Sequence, residues 1–153
     1  MTDTRGLSKG PGWLLNYADD LLAVIEQNRL DNVVVPGTTG ATQTVGVFRA
    51  PVAVTITKLA YQPAAAHIIG SVAIVNAGTS GTLTATIATL PVAAAGTVAA
   101  NNFTTLTLHT AAATLALSAG AVLNLARGTA SGDTALPAGL VYVEYKLTTG
   151  TGA

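Results

Sequence analysis

Two imidazoles, His67 and His109, are the only side chains in this sequence that could act as neutral-pH bases toward a nucleophile. Ser71, Ser80, Ser118 and Ser131 are the available hydroxyls, and no G-x-S-x-G elbow surrounds any of them. Each histidine reads as a strand or interface residue. Acid–base work by paired carboxylates would have to use Asp133 and Glu144, or the N-terminal Asp19 and Asp20. Asp133, in "SGD", has the setting of a turn former that bonds its own backbone. Asp19 and Asp20 are adjacent, so on a helix their side chains diverge. "PGTTGAT", Pro36 to Thr42, is glycine-rich, but no lysine succeeds it in a phosphate-loop pattern, so it reads as a turn. With no cysteine and so few carboxylates and imidazoles, no metal-ligand set is visible. The expectation is a protein that is not an enzyme, with no cofactor and no metal.

Arg49, before "AP", and Arg127, before Gly128, read as charges at strand ends. The alternative is that they pair with Asp133 or Glu144 across a subunit contact.

The chain that must position these residues has 153 residues, of which 50% are hydrophobic and only 9% charged, with a formal net charge of zero. Typical soluble domains carry about 25% charged residues. A neutral chain lacks the basic surface that nucleic acid requires, so no nucleic-acid partner is expected. No apolar run approaches the roughly 20 residues of a spanning helix, and the aromatics are too few for the girdles of a transmembrane barrel. No membrane partner is expected either. Arg5 and Lys9 resemble the basic start of a secretion signal, but Asn16, Asp19 and Asp20 break the apolar run after them. Synthesis and folding are therefore expected in one compartment.

Charge is distributed unevenly. Asp3, Arg5, Lys9, Asp19, Asp20, Glu26, Arg29 and Asp31 crowd the first 31 residues, whereas no charged side chain occurs between Lys58 and Arg127. This contrast divides the chain into an N-terminal segment, 1–31, and a body, 32–153. Residues 1–12 are polar and glycine-rich and read as an arm. In "WLLNYADDLLAVIEQNRLDN", Leu14, Tyr17, Ala18, Leu21, Leu22 and Ile25 recur at helical spacing, with Asn16, Asp19, Asp20 and Gln27 opposite. Pro11 suits the start and Asn32 the stop of one amphipathic helix of about four turns. Such a helix either packs on its own domain or serves assembly. Its apolar seam is too short for an independent coiled coil.

In the body the period changes to two. "VAVTIT", "TLTATIAT", "TTLTLH" and "LVYVEYKL" alternate, and further strands are expected near 43–49, 67–76, 113–118 and 121–127. The expected core is Val52, Val54, Ile56, Leu83, Ile87, Leu106, Leu108, Leu123, Val141 and Val143. "NAGTSG", "LPVAAAGT", "LSAG", "GTASGD" and "LPAG" separate the strands. About eight short strands so spaced imply a mainly β protein, an antiparallel jelly-roll-like β-sandwich preceded by one N-terminal amphipathic α-helix. The outward positions carry Thr and Ala where a solitary sandwich would place Lys and Glu. Thr82, Thr84 and Thr86 are therefore expected at a subunit interface.

The body resembles the small jelly-roll decoration, or cement, proteins of tailed-bacteriophage heads and related head-fibre and tail-spike modules. The resemblance covers about residues 43–148. It rests on "F-x-A-P" at Phe48 to Pro51, "I-T-K" at Ile56 to Lys58, the turn-strand at Ala119 to Leu123 and the closing "V-Y-V-E-Y" at Val141 to Tyr145. It implies a homo-oligomer, a trimer seated where capsomers meet on the outer capsid surface, with the major capsid protein as partner and synthesis in the host cytoplasm. It carries no functional residue onto this chain, and the N-terminal helix is not general to the family. Arg5, Lys9, Trp13 and Leu14 are the expected attachment residues, because a pliable arm can order on a partner and large apolar side chains dominate such contacts. The alternative is a receptor- or glycan-binding head of a fibre or spike, for which Trp13, Tyr17, Tyr61, Tyr142 and Tyr145 supply the rings.

Overall fold

The computed structural model describes residues 29–40, 42–81, 85–90, 97–129 and 135–148. The expected helix of the N-terminal segment lies outside these residues.

The chain runs through β1 (Arg29–Val35), β2 (Thr42–Arg49), β3 (Val54–Pro63), β4 (His67–Asn76), β5 (Ala85–Thr89), β6 (Thr97–Val98), β7 (Thr104–Thr105) and β8 (Thr107–Leu108). A one-turn helix, α1 (Ala112–Leu115), and β9 (Ala116–Leu117), β10 (Val122–Thr129) and β11 (Gly139–Leu147) complete it. The first sheet has the order β1-β11-β3-β7, with β9 also on β3. The second has the order β2-β10-β4-β5-β8, with β6 also on β4. Every pairing is antiparallel.

These pairings are nested. The first strand lies on the last, β2 on β10, β3 on the short β7 and β9, and β4 on β5. A long antiparallel ribbon folded at its middle and rolled up gives this order, which is that of a jelly roll. At Leu106 the chain changes sheets. The residues before it pair with β3 and those after it with β5, while Leu106 itself is buried and its N–H reaches the Leu59 carbonyl at 2.8 Å.

Strand parity builds the core. Val141, Val143 and Tyr145 of β11 and Val54, Ile56, Leu59 and Tyr61 of β3 face Leu123 and Leu125 of β10, Val72 and Ile74 of β4, and Ile87 of β5. Full burial of such a side chain contributes about 1.5–3 kcal/mol. Alternation in β3 breaks at Thr57, an extra residue opposite the Glu144–Tyr145 step. The bulge shifts the inward parity from Val54 and Ile56 to Leu59 and Tyr61. It also leaves the Thr57 hydroxyl oxygen buried without a hydrogen-bond partner among the described residues. Replacing that hydroxyl by a methyl in Thr57→Val is expected to raise stability by about 1 kcal/mol, read from the urea midpoint. A loss of stability would mean that the hydroxyl does find a partner.

Of the expected core, Val54, Ile56, Ile87, Leu106, Leu123, Val141 and Val143 are buried, Leu108 is half-buried, and Leu83 lies outside the described residues. Val52 is a correction. It sits in a bend before β3 begins and is 47% exposed. The helical spacing includes residues 29–31, but these pair with β11, Arg29 opposite Tyr145 and Asp31 opposite Val143. Seven residues of ladder pairing with β11 outweigh the reading of one helix that stops at Asn32. Residues 113–118 are not one strand but the end of α1 followed by β9, because only Ala116 and Leu117 reach β3.

Candidate interaction surfaces

The outer faces of the two sheets are set by register, since residues directly opposite in an antiparallel ladder share a face. On the second sheet, one outward row runs Gly46–Asn124–Val75–Thr86 and the next Thr44–Ala126–Ala73–Thr89. No charged side chain stands in either row. The expected interface residue Thr86 is here, exposed on β5. Thr82 and Thr84 lie outside the described residues.

On the first sheet the outward rows are Leu30–Glu144–Lys58, Asn32–Tyr142–Ala60–Thr105 and Val34–Leu140–Gln62. Leu30 is 58% exposed, Val34 73% and Phe103 43%. Phe103, just before β7, meets Tyr142 edge-on with ring centroids 4.7 Å apart. The Lys58 ammonium lies 5.2 Å from the centre of the Phe103 ring. Tyr142 donates its hydroxyl hydrogen to Gln62 Oε1 at 2.8 Å, and Gln62 Nε2 donates to the Asn101 carbonyl at 2.9 Å. Thus an aromatic pair is held at a fixed angle on a face that mixes charged, polar and aliphatic side chains. Separation in sequence hides it, because Phe103 and Tyr142 become neighbours only through the β7-β3-β11 order.

Where the two sheets come together at β1 and β2, the described residues leave a cleft. Both strands are sheet edges. Between them lies a cleft of about 490 Å³ lined by Asp31, Asn32, Val33, Gly46, Val47, Phe48, Arg49 and Val122. The Phe48 ring packs on Tyr145 with centroids 5.0 Å apart. Burial pushes the Tyr145 hydroxyl above its ordinary pKa, and the charge and hydrogen bond of Asp31 push it further, against a smaller opposing effect of Arg29.

Arg127 is a second correction. It is not a strand-end charge but is 2% exposed, at the inward parity of Leu123 and Leu125. All five guanidinium N–H groups are used, and every acceptor is neutral. Nε donates to Gln43 Oε1 at 2.7 Å, and one terminal nitrogen donates to the Tyr61 hydroxyl at 2.8 Å and the Pro137 carbonyl at 2.5 Å. The other donates to the Pro36 carbonyl and to Gln43 Oε1. This one side chain joins β10 and β2 to β3 and to the segments flanking β1 and β11. Burial raises the Tyr61 pKa, and the adjacent Arg127 charge and hydrogen bond oppose that rise. The sequence does carry a signal for this role, an arginine at a core-parity strand position.

The remaining candidates do not converge. His109 is exposed, and its Nδ1 accepts the Ala111 N–H at 3.0 Å, a local turn. His67 begins β4. Ser71, Ser80 and Ser118 are exposed on separate elements. Glu144 stands opposite Lys58 in the ladder. Arg49 ends β2 on the rim of the cleft. "PGTTGAT" links β1 to β2, with the Gly40 N–H on Thr38 Oγ1 at 3.1 Å and Thr38 bridged to Leu136. Of the proposed rings, Tyr61 and Tyr145 are buried and Tyr142 is half-buried. Ser131, Asp133, Asp19, Asp20, Tyr17 and the attachment residues Arg5, Lys9, Trp13 and Leu14 lie outside the described residues. Among the described residues, no three His, Asp or Glu side chains gather as a metal site, and no helix is long and apolar enough to cross a membrane.

No protein-family model matches the sequence, and no curated protein matches it. Among solved structures, the chain is similar to one from the structure of infectious bursal disease virus Gx strain, with 14% identity and a TM-score of 0.42. The match covers 82% of this chain and 33% of that one, so this chain spans about a third of its length.

Proposed function

We propose that this protein is a virion structural component that decorates the outer surface of a phage capsid as a homo-oligomer, a trimer, with the major capsid protein as its partner. The observation that carries the reading is the outer face of the second sheet, where two rows across four strands hold no charged side chain. A free sandwich normally interrupts such a face with Lys or Glu. The exposed Leu30, Val34 and Phe103 of the first sheet add a second surface suited to contact with protein. The body's resemblance to capsid decoration proteins gives the kind of assembly. Attachment to the shell falls to the N-terminal arm, through Arg5, Lys9, Trp13 and Leu14.

Mixing the purified protein with undecorated shells tests the role. Saturable binding at a fixed ratio per capsomer is expected, and no binding overturns it. Light scattering on a sizing column should give three times the chain mass, and Thr86→Lys should weaken that oligomer by leaving an unpaired charge in a dry contact. An unchanged oligomer in Thr86→Lys would place the subunit contact elsewhere.

A second reading is a receptor- or glycan-binding head of a fibre or spike. The Phe103–Tyr142 pair favours it, since the exposed Phe103 ring, braced by the half-buried Tyr142 beside Gln62 and Asn101, can stack on a sugar face. Retention of host polysaccharide, lost in Tyr142→Ala, together with no binding to shells, would select this reading over the first.

A further inference from the structure

The outer face of the first sheet carries two hollows of about 220 Å³ each. One is lined by Leu30, Lys58, Phe103, Tyr142 and Glu144. The other includes Val34, Gln62, Asn101 and Leu140. Both therefore take their walls from the same four segments, β1, β3, β11 and residues 101–103, and they follow one another along β11. Tyr142, bonded through its hydroxyl to Gln62, stands between them. From Glu144 to Leu140 the strand covers about 13–14 Å.

We propose that the two hollows form one groove for a neutral oligosaccharide, each holding one sugar ring of the same ligand. The inference rests on the second reading above, a glycan-binding head, and names the ligand class and the site. Three features select this ligand. The first is apolar surface. Phe103 is 43% exposed although the Lys58 ammonium approaches it, and its ring meets that of Tyr142 at 67°, so the two make a corner. The C–H face of a pyranose packs on such a surface. The second is hydrogen bonding. β11 is paired on both sides, with β1 and β3, so the groove offers no free strand edge to an extended peptide. An apolar peptide side chain laid over Lys58 and Glu144 would also strip water from both charges. Sugar hydroxyls donate and accept, and so satisfy an ammonium and a carboxylate together. The third is charge. The residues lining the two hollows hold one cation and one anion, Lys58 and Glu144, opposite each other in the ladder. A uronate is repelled by Glu144 and an amino sugar by Lys58, whereas a neutral ring meets no like charge.

The groove is on the first sheet. Sugar binding and the uncharged face of the second sheet therefore use opposite sides of the sandwich.

Affinity electrophoresis of the full chain tests the class, with gels holding a neutral glucan, galactan or mannan, or the charged polymers alginate and chitosan. At least one neutral polymer should retard the protein, with the charged polymers bound roughly tenfold more weakly. Among competing oligosaccharides of that neutral polymer, the trisaccharide should be roughly tenfold or more stronger than the monosaccharide, because two rings are held at once. Phe103→Ala should weaken binding roughly tenfold. The double variant Lys58→Gln/Glu144→Gln, which removes both charges and keeps the rings, should weaken it roughly fivefold or more. Urea midpoints of both variants separate lost binding from lost folding.

Retardation by charged polymers alone, abolished in Phe103→Ala, overturns the neutral class and leaves the glycan-binding head standing. Retardation by none of the polymers overturns both. Equal competition by the monosaccharide and the trisaccharide overturns the two-ring groove. Neutral binding unchanged in both variants places the sugar elsewhere and overturns the site.

Discussion

Arg127→Ala is expected to cost about 3–5 kcal/mol of folding stability, the largest effect of any single substitution away from the aliphatic core. The arginine is a buried cation without a carboxylate among its partners. Its charge is tolerated because all five donors meet oxygens with partial negative charge. Truncation removes the desolvated charge, which by itself is favourable. It also takes one donor from each of the Gln43 amide oxygen, the Tyr61 hydroxyl and the Pro36 and Pro137 carbonyls, and a buried hydrogen bond left unmade costs about 1–3 kcal/mol. The second effect dominates because four acceptors lose their donor together. Arg127→Lys should recover only part of the loss, since an ammonium offers three donors from one point and cannot fork to both sides of Gln43. Urea unfolding of the three proteins reads the order directly. A loss below about 1 kcal/mol for Arg127→Ala would mean that water replaces the guanidinium at no cost.

Tyr61 supplies an independent readout of the same node. Its folded pKa is already raised by burial, and Arg127 is what limits the rise. Removing the arginine should therefore move it higher still. A tyrosine whose folded pKa is raised favours the protonated native state. Its contribution to stability is complete below its unfolded value near 10 and is lost as pH climbs through the folded value. Tyr145 acts in the same direction, so stability should start to fall once pH passes the unfolded tyrosine value near 10 and go on falling as pH approaches the raised folded values. Ultraviolet titration of tyrosinate in Arg127→Ala and the parent, with folding followed in parallel by circular dichroism, distinguishes a shift at Tyr61 from general unfolding.

Legibility in the sequence tracks the physics of each element. β10 and β11 can be read because a two-residue period with Leu or Val on one side is what a half-buried strand produces. β1 escapes such a reading because "RLDNVVV" has apolar residues on both faces, Val33 and Val35 inward and Leu30 and Val34 outward, so its alternation is blurred. The Phe103–Tyr142 pair and the cleft have no local signal. Both arise from strand order, which parity does not encode. Arg127 is in view at core parity, but a charged residue there is so uncommon that its neighbour Gly128 invites a strand-end reading. The uncharged stretch between Lys58 and Arg127 is legible in composition. Its location on the outward rows of β4, β5 and β10 requires the register.

Ile87→Ala and Val52→Ala, compared side by side, test how far parity alone specifies this core. Both parent residues stand at inward positions of an alternating run in the sequence. Ile87 is fully buried between the sheets on β5. Removing its three outer carbons should cost about 2–5 kcal/mol, part in lost transfer energy and part in the cavity that remains. The upper half of that range is expected, because β5 is held between β4 and β8 and a jelly-roll core has packed sheets on both sides that cannot close over a void. Val52 occupies the same parity as Val54 and Ile56 but precedes the ladder, since pairing of β3 begins at Val54, opposite Leu147 and Leu117. Pro51 before it cannot donate a ladder hydrogen bond, so the run of alternation extends one inward position further than the sheet does. At 47% exposure, Val52→Ala should change stability by no more than about 0.5 kcal/mol. Urea midpoints with a common slope give the difference between the two variants. Comparable losses would mean that the bend at 51–53 packs against the body, and that Val52 belongs with the core after all.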